Sequence, residues 1–136
     1  MQLSEAIDLA RQFHGDATDK AGRPYIEHPL RVMGRVDTHD EKIAAVLHDL
    51  IEDTDVTLTD LLVAGCPSRV AEALRALTRE SGEDYVDFVL RAAANPIART
   101  VKLAEIADNL DPERLSRLDD ALVAKLRAKY ELAVAV

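Results

Sequence analysis

Residues 40–53 read DEKIAAVLHDLIED, and this stretch decides the fold. Ile43, Val46, Leu47, Leu50 and Ile51 recur at three- and four-residue spacing, which lays them on one broad stripe of an α-helix. The spacing predicts a single amphipathic helix whose apolar stripe must be covered by other elements. The same helix carries His48, Asp49, Glu52 and Asp53 in its last turn and a half. His48 and Glu52 are four apart, as are Asp49 and Asp53, so the four polar groups share one side. Acidic residues at a helix end are usually solvated surface. Three carboxylates gathered at a C-terminus, however, meet its partial negative charge, which is unfavourable unless a cation neutralises them.

Working outward, the chain reads as helical almost throughout. Ala6, Ile7, Ala10 and Phe13 mark a first helix over 4–14, with Ser4 as its expected N-cap. A polar loop, GDATDKAGRPYIEHPL, carries two Gly and two Pro before apolar spacing resumes at Ile26, Leu30 and Met33. Pro24 suits a first helical turn, whereas Pro29 inside the pattern requires a kink or a later start. Thr57 and Asp60 form a capping-box pattern before a short helix that Gly65 stops. Further helices follow through Val70, Ala71, Leu74 and Leu77, and through Tyr85, Phe88, Val89 and Ala92. Asn95-Pro96 and Asp111-Pro112 each read as an N-cap followed by a first-turn proline. The expectation is one all-α domain over 1–136, a compact bundle of about eight helices with no strand.

Composition narrows the partners. Seventeen Lys and Arg against 25 Asp and Glu give a net charge of −8 over 136 residues, which argues against a nucleic-acid polymer as partner because such binders need a basic face. Cys66 is the only cysteine, so no internal disulfide can form, and a reducing cytoplasm is the expected setting. The first residues lack a basic start and apolar run, and no apolar stretch reaches the roughly 20 residues of a membrane span. A soluble protein with no membrane partner is expected, and nothing in the sequence sets an oligomeric state.

The acidic turn supplies at most two adjacent ligands, His48 and Asp49, so a metal site needs others. His28 in YIEHPL is one candidate. The polar face of VKLAEIADNL is another, where Lys102, Glu105, Asp108 and Asn109 interrupt an apolar background at helical spacing. Mixed His and carboxylate donors suit Mn²⁺, Fe²⁺, Zn²⁺ or Ni²⁺ better than Ca²⁺, which takes oxygen ligands. His14, His39 and Cys66 read as structural residues.

The three segments DKAGRPYIEHPLRV, AAVLHDLIEDT and VKLAEIADNL, in this order, resemble the HD-domain metal-dependent phosphohydrolases, specifically the hydrolase domain of RelA/SpoT-type enzymes and the small alarmone hydrolases. The resemblance runs from about Ala6 to Leu110. It implies an all-helical fold and Mn²⁺-dependent hydrolysis of the 3′-pyrophosphate of (p)ppGpp, a small anionic nucleotide. By the same resemblance His28, His48 and Asp49 match metal ligands, and Glu105 takes the fourth place, where the family has the shorter Asp. Glu52 and Asp53 match the pair that positions and activates the attacking water. Lys20 matches a basic residue near the nucleotide, and Asn109 a polar residue of the substrate pocket. Asp19 stands where the family carries Arg, and the family's Asp-Arg-x-His-Asn is Glu105-Ile106-Ala107-Asp108-Asn109 here.

The implied chemistry is metal-assisted hydrolysis, in which a divalent ion lowers the pKa of water from 15.7 to about 7 and polarises a phosphoryl oxygen. Lys20, Arg23 and Lys102 are the cations that the motifs bring nearest to an anionic substrate. Two other readings fit the same residues: an HD-fold module that binds nucleotide or metal without turnover, and a helical adaptor whose acidic cluster is only surface.

Overall fold

The computed structural model describes residues 1–19 and 21–112, together with Asp120, Ala121, Ala124, Arg127, Ala128 and Val134. Among the described residues it is all-helical: α1 (Leu3–His14), α2 (Glu27–Gly34), α3 (His39–Leu47), α4 (Leu50–Asp53), α5 (Leu58–Val63), α6 (Ser68–Ala76), α7 (Tyr85–Ala93) and α8 (Pro96–Asn109). The only strand-like pairing there is an isolated antiparallel bridge between Thr18 and Pro24. The helix expected after Asp111-Pro112 lies largely outside the described residues. None of the described helices is long and apolar enough to cross a membrane.

Helix α3 is the hub, packed by α1, α2, α6 and α8. Its residues Ile43, Ala44, Ala45, Val46 and Leu47 are all fully buried, so the second half of the helix is enclosed on every side instead of along the one stripe that the spacing suggests. Ala44 and Ala45 allow this, because their small side chains let neighbouring helices approach closely. Val32 from α2, Leu50 from α4, Leu61 from α5, Val70 and Leu74 from α6 and Val101 from α8 complete the core.

Three local readings are corrected. The helix expected over 40–53 is interrupted at His48 and Asp49, so that α3 and the single-turn α4 are separate elements. Neither Pro nor Gly causes the break, and both residues keep right-handed helical dihedrals. The His48 ring instead takes the Ala45 carbonyl, the acceptor that an unbroken helix offers to the Asp49 N–H. At the amino end, α1 is capped by Gln2 in a capping box with Glu5, not by Ser4. Pro29 marks a later start: α2 begins at Glu27 and Pro29 falls in its first turn, while Pro24 belongs to the loop bridge. The Thr57–Asp60 capping box and the Asn95 N-cap before Pro96 form as expected.

Candidate metal and substrate site

Three segments converge at the break in the central helix. The first is the loop leading into α2. Asp19 tightens it, with Oδ1 accepting from the backbone N–H of Ala21 at 2.9 Å and of Arg23 at 3.0 Å. Gly22, at φ 81°, closes the turn in a conformation that side-chain-bearing residues rarely adopt. The carboxylate at position 19 thus serves the loop's own backbone. The loop returns Tyr25 and His28 to the interior, where the Tyr25 hydroxyl donates to Asp49 Oδ2 at 2.6 Å.

His48 and Asp49 come from the α3–α4 junction. Nδ1 of His48 lies 2.6 Å from the Ala45 carbonyl. A carbonyl only accepts, so Nδ1 carries the proton and Nε2 is directed elsewhere. That Nε2 is buried and has no hydrogen-bond partner among the described residues. It lies 3.2 Å from Asp49 Oδ1 and 3.8 Å from Glu105 Oε2. From α2, His28 presents its own Nε2 at 3.8 Å from Asp49 Oδ2. Donor atoms of His28, His48 and Asp49 all fall within 4.8 Å of one another, and all three residues are buried. Two imidazole nitrogens and a carboxylate aimed at one point form a donor set that suits a divalent transition metal, and the orphaned His48 Nε2 is the atom that such an ion would satisfy.

The electrostatics agree with a cation site. Burial alone would lower the His48 pKa, but the carboxylates of Asp49 and Glu105 outweigh it and hold the imidazole above its ordinary range. Burial would raise Asp49, yet His48, His28 and the Tyr25 hydroxyl bring it down. Both shifts have one cause, the opposite charges of imidazole and carboxylate brought together at the position a metal would take. Glu52 is raised by burial first and then by Asp49, Asp53 and Glu105, against the Arg79 backbone N–H that donates to it at 2.7 Å. Asp53 is raised by burial and by Asp49, with Tyr25 opposing.

Glu105 does not join the set that converges within 4.8 Å; it lies at its edge and shares Oε2 with Lys102 Nζ at 3.3 Å. Lys102 is buried, with its ammonium 4.9 Å from the centre of the Phe88 ring. Arg23 is exposed and pairs with Glu27 at 3.3 Å. Asn109 ends α8, half-buried, beside Asp108. Lys20 lies outside the described residues. His14 is buried against Tyr25, ring centres 5.0 Å apart, and burial pushes its pKa down. His39 opens α3 and contacts the Met1 carbonyl, and Cys66 is buried.

Two residues without an assigned role enter the site. Tyr25 sits inside the motif YIEHPL, and only its tyrosine hydroxyl next to that histidine hints at its part. Asp108 is wholly buried and holds His28 Nδ1 at 2.6 Å and Arg31 Nε at 2.9 Å. Burial would raise its carboxyl, but these two partners pull it down to about 2. Its place on the polar face of VKLAEIADNL was legible, whereas a partner 80 residues away was not.

An all-helical domain with a His-Asp pair at a break in its central helix, faced by a second histidine, is an HD-type domain. No family model matches the chain. Human guanosine-3′,5′-bis(diphosphate) 3′-pyrophosphohydrolase MESH1 is 44% identical over 127 residues, covering 80% of this chain and 68% of that protein. The mouse MESH1 is 38% identical over 122 residues, with the same two coverages. The guanosine-3′,5′-bis(diphosphate) 3′-pyrophosphohydrolase of Aquifex aeolicus is 32% identical over 121 residues, 80% of this chain but 17% of that longer protein. A solved structure described as a metazoan ortholog of SpoT that hydrolyzes ppGpp superposes with a TM-score of 0.80 at 21% identity, over 98% of this chain and 83% of its own, and shares the fold. The chain belongs to the guanosine-3′,5′-bis(diphosphate) 3′-pyrophosphohydrolase family.

Proposed function

We propose that this chain is a divalent-metal-dependent hydrolase that releases pyrophosphate from the 3′ position of (p)ppGpp, with Mn²⁺ as its metal. The observation that carries the reading is the convergence of His28 Nε2, His48 Nε2 and Asp49 in a buried site, in a chain whose relatives are named for that reaction. His28, His48 and Asp49 would hold the ion, with Glu105 as the fourth ligand. A divalent ion in this place supplies Lewis-acid polarisation of the phosphoryl group and acidifies water.

The chain's own residues do the rest. Tyr25 holds the Asp49 carboxylate by its 2.6 Å hydrogen bond to Oδ2, which keeps that group in place with Oδ2 towards His28 and Oδ1 towards His48. Glu52 and Asp53 are the groups that orient the attacking water and accept its proton. Their pKa values are raised from the ordinary carboxylate range, and a base nearer the working pH is the more effective one. Arg23, whose side chain is 53% exposed, is available to an anionic substrate, with Lys20 and Asn109 as further contacts. Lys102 is turned to Glu105 and in that position moderates the negative charge beside the metal.

The test measures pyrophosphate release from ppGpp against phosphate release from nucleoside mono- and triphosphates, with Mn²⁺ present. Release from ppGpp that is lost in His48→Ala and Asp49→Ala supports the proposal. Bound metal without release from any of these nucleotides would replace the enzyme by a binding module.

A further inference from the structure

Asp108 is 0% exposed in the last turn of α8. A buried carboxylate is costly unless it is paired and its lone pairs are used. Here the two oxygens are divided. Oδ2 faces Nδ1 of His28 at 2.6 Å, and Oδ1 takes Nε of Arg31 at 2.9 Å, with Arg35 Nε at 3.9 Å behind it. His28 and Arg31 are three apart on α2, so one face of that helix grips one carboxylate from α8.

We infer that Asp108, clamped by Arg31, is the positioning residue that sets His28 for metal binding: it holds the proton on Nδ1 and so leaves the Nε2 lone pair facing Asp49 and the ion. An ionised carboxylate can only accept, which fixes the tautomer. The second histidine shows the contrast. His48 is oriented by the neutral carbonyl of Ala45, whereas His28 is oriented by a charge, and a charge-assisted partner makes the imidazole the stronger donor. Arg31 neutralises the carboxylate, so Asp108 polarises His28 without adding uncompensated negative charge to the interior. Asp108 stands behind the ring, on the nitrogen away from Asp49, and is a partner of a ligand, not a ligand itself. The inference rests on the proposed metal role of His28.

Two measurements test it. Long-range proton–nitrogen NMR on the metal-free wild type reads the His28 tautomer directly. The tautomer protonated at Nδ1 is expected, and the tautomer protonated at Nε2 would overturn the inference whatever any variant does. Calorimetric titration with Mn²⁺ then compares wild type with Asp108→Asn, whose near-identical shape favours folding and whose amide can accept or donate. Mn²⁺ affinity is expected to fall about 10–100-fold, the range seen when such outer partners are removed, with His28 shifting to mixed tautomers. If Asp108→Asn is poorly folded, Arg31→Gln, which keeps the carboxylate but frees it from its clamp, is expected to weaken Mn²⁺ binding in the same direction. Wild-type affinity in a folded Asp108→Asn with its His28 tautomer unchanged would refute the positioning role alone. A wild type that binds no Mn²⁺ would instead refute the metal reading, and this inference with it.

Discussion

Replacing Asp49 by Asn nearly preserves shape but removes the negative charge at the centre of the donor set, where Asp49 lies 3.2 Å from the His48 Nε2 and 3.8 Å from the His28 Nε2. Wild-type protein in Mn²⁺ at 100 times its dissociation constant gains about 2.7 kcal/mol by mass action. Unfolding entropy of about 2.1 cal/mol/K per residue, over 136 residues, is about 0.29 kcal/mol/K, so Tm should rise by about 9 °C. Loss of a charged central ligand should weaken the site at least as much as the upper, about 100-fold, cost of losing an outer partner. At the same Mn²⁺ concentration the variant then keeps about 0.4 kcal/mol, or about 1.4 °C. The assay is scanning calorimetry with Mn²⁺, with EDTA as the reversal control, at concentrations chosen from a wild-type titration. An equal rise in wild type and Asp49→Asn would refute the assignment of the site, as would no rise in the wild type.

Glu52→Gln should lower kcat for ppGpp by about 10²–10⁴, the range for removing a general base, while Mn²⁺ affinity measured by titration is unchanged. Leu47→Ala empties a fully buried position at the hub of the fold and should cost about 2–5 kcal/mol, seen as a Tm lowered by about 7–17 °C. Glu83 is held down to about 2, from 4.5, chiefly by the Arg91 guanidinium that donates to both its oxygens at 2.8 and 3.0 Å. A depressed carboxyl contributes stability above 4.5 that is lost as pH falls towards 2. The Tm difference between wild type and Glu83→Gln should therefore be full near neutral pH and close on acidification.

The helical class was legible because three- and four-residue spacing is a local property of the chain, visible in AAVLHDLIED and in the caps at Thr57 and Asn95. The break between α3 and α4 was not. It depends on which side chain takes the Ala45 carbonyl, a competition that helical periodicity does not register. Burial on every side of the second half of α3 was hidden for a related reason. Ala44 and Ala45 are neutral in any apolar pattern, and only the neighbours that close on them make them core. The same holds for Asp19, which the sequence marks only as an acid where the family carries Arg, until its carboxylate is seen accepting from the backbone of its own loop.

By itself the sequence determined the donor types and their neighbourhoods: a His-Asp pair at one helix end, a histidine beside a proline, and a polar face on a later helix. These are fixed by covalent order, and a three-residue or four-residue offset is enough to place them on one side of an element. Tertiary structure decided which of their atoms meet. His28 and Asp108 are 80 residues apart, and their contact exists because α2 and α8 both pack on α3. That packing turns one nitrogen of each histidine inward and gives the other a partner, and the direction of a lone pair is a property that only the folded chain possesses.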